Sequence, residues 1–559
     1  MRVPDPVRRV LGKARPSPAT GHRTQPAAPV AIRPLDPLPA PAPFPDGKYL
    51  FCVNALPRNF AGRSASIFAK MRVLAAHGVT DQALVTFLHS SELADIEHGL
   101  RERGLLDDSM RLLCLHDFYP DDTSYAGSPI LHPVDEPELN WIKDEDQPVY
   151  RYFDGDGVYR VYKRFDHAGR LIVRDWFNPN RARTLREEFR PNGTLRRRIY
   201  MDLHHNLPRQ EIHYRADQSP AFTIWWVIDP DTLLPEVDRV TLFDAGGTPV
   251  EVHDSLDRIN HLCLDRLIGD SPAFVTSEDR LIDRYLIGYP NPLARRLFVI
   301  HNAHIKEPYD DLRAIRPTFR PVFEARTKVD AVVFLTATQR AEAEARYGRT
   351  DSFRVVPHAA RPATPTPGIE RDPNLVIMMA RLDVQKQVDH AIQAFAEVHA
   401  RLPQARLEIY GVGPDLASLR KLVADLGLRK VVSLKGFTRE PGLAYQRGSL
   451  CMMTSRFEGA PLTLLEAMGY GCPVVSYNLR YGPADVITDG VDGFLVRYGD
   501  RKAMAQTVAS LLPDRARLAA ASAAAIRRAA DFDEDAFAAR WSALFSELAA
   551  RPTAGHSTP

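Results

Sequence analysis

From Lys48 onward, short uninterrupted apolar runs alternate with amphipathic stretches: KYLFCVN, a helical segment over about residues 62–77, then DQALVTFL. Continuous apolar runs of strand length are what a parallel sheet buried on both faces requires, and the 3.6-residue periodicity between them marks crossover helices. The same grammar returns with PAFVTS, RLFVIH and VDAVVFLT, continues into a helical QRAEAEARYG and ends near FRVVPH. A Rossmann-like domain over residues 46–356 is expected, with one long break in it. In the break, roughly residues 118–250, aromatic and charged residues alternate in VYRVYKRF, REEF, RRRIYMDL and FTIWWVID, separated by turn dipeptides at Asp156-Gly157, Asn192-Gly193 and Gly246-Gly247. Period-two alternation punctuated by such turns predicts an inserted antiparallel β meander.

Residues 357–373, PHAARPATPTPGIERDP, break the periodicity with prolines and read as an interdomain linker. Beyond it, over residues 374–530, NLVIMMA, RLEIYG, VVSLKGF, SLCMMTS, CPVVSY and GFLV recur with helices or short turns between them, which predicts a second doubly wound parallel sheet. The fold class is therefore α/β: two Rossmann-like domains facing a cleft, with the meander inserted in the first. Residues 531–559 supply a last helix, about 534–550, expected to pack back across the cleft, and a tail.

The length of 559 residues exceeds what one core organises. Lys and Arg number 72 against 70 Asp and Glu, so net charge gives no reason to expect a nucleic-acid partner. Five cysteines without a C-x-x-C, lying in or beside apolar runs, read as buried thiols of a cytoplasmic protein. No apolar run approaches the ~18 residues of a membrane span, and no leader-like apolar centre is seen near Met1. Residues 1–45 hold 12 of the 45 prolines, with seven Lys or Arg against two Asp, and are expected to be disordered: a solvated tail, or a peripheral contact with anionic lipid at the inner face of the membrane. Residues 151–228 hold 15 Arg or Lys against nine Asp or Glu, which reads either as a solvated sheet face or as a docking surface for an anionic acceptor.

Ligands of open parallel sheets bind outside the carboxyl ends of the strands. After SLCMMTS comes RFEGAPLTLLEAMGYG, with Glu458 and Glu466 eight apart, Gly459 before a helix and Pro461 suited to its first turn. The unpaired N–H groups of that helix start form a ready diphosphate site, with Glu466 placed to accept from ribose hydroxyls. After NLVIMMA comes ARLDVQK, which sets Arg381 and Lys386 beyond another strand end, where two cations neutralise a leaving diphosphate. Asp154 and Asp156 look like a metal motif, but the glycines around them predict a turn; no metal site is expected.

Together the ARLDVQK block, LEIYGVGPD, VSLKGF, and SRFEGAPLTLLEAMGYGCPVVS through TDGVDGFLV resemble the family-four retaining glycosyltransferases of the GT-B type, whose E-x7-E signature falls here on Glu458 and Glu466. The resemblance is strong over residues 374–500. It implies a metal-independent transferase that uses a nucleotide sugar, with UDP as its nucleotide, and needs no other cofactor. By the same resemblance Arg381 and Lys386 hold the diphosphate, helped by the amides of Gly459 and Ala460. Glu466 binds ribose, Lys435 to Phe437 line the base pocket, and Glu458 faces donor sugar and acceptor. His301, directly after RLFVI, matches the histidine that reaches the donor sugar, with His304 as the alternative. Gly62 and Arg63 of NFAGRS match a loop flanking donor and acceptor, though with one glycine where relatives often have two. DWFNPNRARTLREEF, LRRRIYMDL and PRQEIHY are similar to the inserted sheet of bacterial wall teichoic acid α-glycosyltransferases, in which the insert supports oligomerisation and binding of an anionic polyol-phosphate acceptor. Two other readings stand beside this one: a protein O-glycosyltransferase for a Ser-rich surface protein, and a non-catalytic subunit on the same fold. The second predicts loss of Arg381, Lys386, Glu458 and Glu466, all of which are present.

Overall fold

The structure, a computed structural model, describes residues 37–40, 42–58, 62–119 and 127–551. The Pro-rich stretch up to residue 36, residues 59–61 of the NFAGRS loop and the tail after residue 551 lie outside the described residues.

Seven strands form the first sheet, all parallel: Lys48–Val53, Gln82–Thr86, Met110–Cys114, Ala273–Ser277, Ala294–Ile300, Ala331–Phe334 and Phe353–Val355. In chain order they lie 3-2-1-4-5-6-7. The second sheet has six parallel strands, Leu375–Met379, Arg406–Tyr410, Val432–Gly436, Leu450–Met453, Val474–Asn478 and Phe494–Arg497, in the order 3-2-1-4-5-6. Each sheet reverses its winding between its first and fourth strands, which opens a crevice at their carboxyl ends. Residues 357–373, between the sheets, form neither helix nor strand.

The break in the first sheet falls between its third strand, at one edge, and its fourth, beside the first. That crossover carries ten antiparallel strands, from Asn140–Lys143 to Pro249–His253, each paired with its chain neighbour. Eight of the hairpin turns contain a residue in the left-handed region: Gly157, Gly169, Arg181, Gly193, Asn206, Gln218, Leu233 and Gly247. Each of these turns is also bound by an Asp or Asn whose side chain accepts a backbone N–H, at Asp154, Asp166, Asn178, Asn192, Asp202, Asp217, Asp229 and Asp244. Asp154 thus serves its turn, accepting from the amides of Asp156 and Val158 at 3.1 and 2.9 Å. Phe222, Ile224, Val240 and Leu242 seat the meander in the core of the first domain beside Leu115, Leu256, Cys263 and Leu264.

The basic excess of the meander is not an open positive field. Asp175 pairs with Arg183 and Arg186 at 3.0 and 2.7 Å, Glu187 with Arg174 and Arg198 at 2.7 Å each, and Arg197 with Glu188 and Glu211 at 2.7 and 2.9 Å. Arg196 pairs with Asp117, and Arg164 with Glu92, in the underlying domain. Neither the solvated face nor the docking surface anticipated these cross-strand partners.

The last helix, Glu534–Ala550, begins at Asp533, whose side chain accepts from the Ala536 amide, and it returns to the first domain. Phe537, Trp541, Leu544, Phe545 and Leu548 pack with Tyr49, Phe51, Phe68, Met71 and Phe274. Trp541 is almost fully buried. Trp541→Ala is expected to destabilise the chain by about 3–5 kcal/mol, as for other truncations of buried aromatics, and to lower the midpoint of urea unfolding. An unchanged midpoint would show that this helix adds nothing to the first domain.

Candidate active site

The first and fourth strands of the second sheet end at Met379 and Met453, and the loops that follow them are laced together. Gly411 and Gly413 allow the loop after Met379 to lie on the neighbouring strand end: a Cβ at either would overlap the carbonyl of Ala380 or Leu382. The Leu382 amide donates to Val412, and the Asp415 amide to Leu382, both at 3.0 Å. Across the crevice the Arg456 amide donates to Gln385 at 2.8 Å, and the Gln385 side chain returns a bond to the Phe457 carbonyl at 3.1 Å. Lys386 is thereby held with its Nζ 2.5 Å from Glu458 Oε1. Arg381 is 57% exposed, its guanidinium turned to Asp383 at 3.1 Å and Gln385 at 3.2 Å. It touches none of the other candidate residues in this structure.

Glu458 exchanges backbone hydrogen bonds with the loop after Val474–Asn478: its amide donates to Arg480 at 3.1 Å and its carbonyl accepts from Tyr481 at 3.0 Å. The helix begins at Leu462, so Pro461 stands one position earlier than its expected place in the first turn. Gly482 lies against the Pro461 ring, with no room for a side chain there. Glu466 sits within this helix, with Arg361 3.9 Å away. Burial pushes its carboxyl above the usual range, with Arg361 and Tyr445 opposing. Lys435 lies 3.6 Å from Glu408, and Phe437 is 72% exposed.

The first domain brings its own switch point against these loops. Gly459 rests on the backbone of His301, so close that a Cβ would overlap the His301 carbonyl, and Ala460 packs against the first domain's core. His301 follows the strand Ala294–Ile300, and its Nε2 is 2.5 Å from Glu278 Oε2. Glu278 directly follows the fourth strand and also binds Lys70 Nζ at 2.6 Å; both partners are buried. Burial would raise the Glu278 carboxyl, but Lys70 and His301 overcome it and hold it at about 2. Burial lowers His301, which keeps the imidazole neutral. The neighbouring His358 ring, 5.9 Å away, is likewise pushed down to about 3, by burial and then by His301.

His304 lies elsewhere. It is buried, stacked on Tyr481 at 5.5 Å, with Nδ1 3.3 Å from Gln339 Nε2. Gly62, at φ 57°, precedes the helix Arg63–Ala76, and Arg63 pairs with Asp279 at 2.9 Å, one residue beyond Glu278. The structure thus joins Lys386 with Glu458 and His301 with Gly459, leaves Arg381, Lys435 and Phe437 apart, and puts His304 in the interior. Glu278 and Lys70 did not emerge from the sequence. Their one signal is a carboxylate directly after a strand that lies at the switch point.

One cation, Lys386, a helix start and the His301 imidazole converge from two facing crevices, an arrangement suited to a bound diphosphate with a polar group attached. Residues 363–528 match the family of glycosyl transferases group 1. Over 530 residues the chain is 25% identical to the poly(glycerol-phosphate) alpha-glucosyltransferase of Bacillus subtilis (strain 168), covering 90% of this chain and 76% of that enzyme. It is 23% identical over 478 residues to the poly(ribitol-phosphate) alpha-N-acetylglucosaminyltransferase of Staphylococcus aureus (strain COL), covering 83% and 92% of the two chains. A crystal structure of an S. aureus TarM variant in complex with fondaparinux, alpha-GlcNAc-glycerol and UDP shares the fold, with a TM-score of 0.71 at 20% identity over 89% of this chain and 100% of that one. Residues 363–528 carry the group 1 glycosyl transferase domain, and the chain has the GT-B fold of a glycosyltransferase.

Proposed function

We propose that the chain moves a hexose or N-acetylhexosamine from a UDP-sugar to a hydroxyl of an anionic polyol-phosphate polymer of the cell envelope, with retention at the anomeric carbon and without a metal. The observation that carries this reading is the meeting of Lys386, Glu458 and the Leu462 helix start with His301 across the cleft. The relatives that act on poly(glycerol phosphate) and poly(ribitol phosphate), and the neighbour with UDP bound, support it.

In this reading Arg381 swings from Asp383 to join Lys386 on the diphosphate, and the amides of Gly459 and Ala460 complete the cradle. Glu466 accepts from ribose hydroxyls, Lys435 and Phe437 border the base, and Glu458 and His301 face the donor sugar. Gly62 and Arg63 flank donor and acceptor. As the diphosphate departs, its growing charge meets fixed cations and amides, and the acceptor hydroxyl attacks from the same face. A cytoplasmic enzyme at the inner face of the membrane fits a polymer made there, and no described helix is long and apolar enough to cross a membrane. Assembly of copies through the insert belongs to the same proposal. The outermost strands Asn140–Lys143 and Pro249–His253 leave Trp141, Ile142, Val250 and Val252 exposed at the two free edges.

Purified chain is expected to hydrolyse one of UDP-glucose or UDP-N-acetylglucosamine slowly and to transfer it when a polyol-phosphate polymer is added. Turnover only with a Ser-rich polypeptide would move the acceptor to protein, and no hydrolysis of any UDP- or GDP-sugar would remove the catalytic reading. Lys386→Ala and Arg381→Ala should each cost about 2–4 kcal/mol of transition-state stabilisation, by the magnitude of lost oxyanion donors; wild-type kcat in Lys386→Ala would refute its role. Because burial raises Glu466, UDP affinity should fall as pH drops through the acidic range and the carboxylate takes up a proton. Titration calorimetry should find that component of the pH dependence missing in Glu466→Gln.

A further inference from the structure

The cluster of Lys70, Glu278 and His301 is more than the fold requires. Lys70 and Glu278 are 5% and 0% exposed and form an ion pair at 2.6 Å. Taking two charges out of water costs about as much as their attraction returns, and an apolar pair of the same volume would often serve stability as well or better. The pair sits at the carboxyl end of the fourth strand, at the switch point of the first sheet, where an open α/β sheet places its ligand. Lys70 is enclosed from behind by the Trp541 ring at 4.4 Å and the Phe51 ring at 5.2 Å, so its only charged partner shown is Glu278. Glu278 then uses its second oxygen on His301 Nε2, and the His301 side chain keeps 12% of its surface open. Its Nδ1 has no hydrogen-bond partner among the described residues.

We infer that Glu278 is a positioning residue: it fixes the His301 ring with the proton on Nε2 and leaves Nδ1 as a bare lone pair that accepts a hydroxyl of the donor sugar. The inference rests on the reading of this cleft as the UDP-sugar site. A carboxylate has no proton to donate, so the His301–Glu278 bond needs the hydrogen on Nε2. Lys70 keeps Glu278 ionised against its burial. The groups that face His301 are Glu278, Lys70 and Arg280 from the first domain and His358 from the linker, and burial leaves the ring neutral among them. A neutral imidazole held by one nitrogen offers an acceptor at the other. The chain Trp541–Lys70–Glu278–His301 thus couples the returning C-terminal helix to the sugar end of the cleft.

The tautomer is read directly by long-range proton–nitrogen spectra of histidine-labelled native chain, with the His301 signals assigned by their loss in His301→Gln. The expected result is a protonated Nε2 and a bare Nδ1, shifting toward a mixture of tautomers in Glu278→Gln. In the same variant kcat for transfer should fall about 10- to 100-fold, as for other partners that orient a functional histidine, while affinity for UDP alone stays at the native value. A native His301 protonated on Nδ1, an unchanged kcat in Glu278→Gln, or an equal loss of kcat and UDP affinity would overturn the inference. If Glu278→Gln fails to fold, the native spectrum still decides. Absence of transfer by the native chain from any UDP-sugar overturns the functional reading beneath it, and that result is seen before any variant is made.

Discussion

The two domains meet backbone against backbone, and the active site depends on that contact. Gly459 lies on the His301 carbonyl with no space for even a methyl group, which sets the start of the Leu462–Gly469 helix against the end of the Ala294–Ile300 strand. Around it the interface is mostly polar. Arg480 reaches Glu342 at 2.9 Å, the Tyr481 hydroxyl donates to Glu342 at 2.5 Å, the Thr338 amide donates to Asp485 at 2.9 Å, and Arg456 pairs with Glu307. An interface this polar resembles those between separate domains more than a continuous apolar core, and relative motion of the two domains is the ordinary expectation for it.

The chain crosses between the domains twice. The linker after Val355 leads outward and the segment before Glu534 leads back, and the Ala360 amide donates to the Phe532 carbonyl where the two crossings meet. His358 lies two residues from that bond, with its ring against His301. The last helix then locks onto the first sheet through Phe537, Trp541 and Phe545. Lys70, Glu278 and His301 are thus anchored to the first domain together with the returning helix.

The sheets were legible because strands buried on both faces must be apolar throughout, and each run read from the sequence, from KYLFCVN to GFLV, holds a strand. The meander was legible by its alternation and by the turns where glycine supplies the left-handed residue, such as Gly157, Gly193 and Gly247. The turns at Arg181, Gln218 and Leu233 escaped notice, because tight pairing of the flanking strands forces ordinary residues into that region. The Asp or Asn within each of those turns, Asn178, Asp217 and Asp229, was the signal passed over. In the site, Lys386 and Glu458 stood out because each follows a strand within a recognisable block. Glu278 and Lys70 did not: they lie 208 residues apart and meet only through the sheet order, which no local pattern encodes. His304 shares the same short segment as His301, yet the turn after Ile300 sends it into the interior onto Tyr481.

The meander shows why a count of charges misleads. Its long sheet has only a small apolar cluster of its own at Phe165, Leu171 and Phe189, so a single layer must find cohesion elsewhere. It finds it across the strands: Arg174 stands opposite Glu187, Asp175 opposite Arg186, Glu187 opposite Arg198 and Glu188 opposite Arg197. Facing pairs of opposite charge stabilise a sheet much as apolar pairs do, and Asp175 and Glu187 each hold a second arginine, which adds to the surplus. A positive field would need the same arginines without carboxylates in register. Opposite charges aligned by register mark an internal ladder.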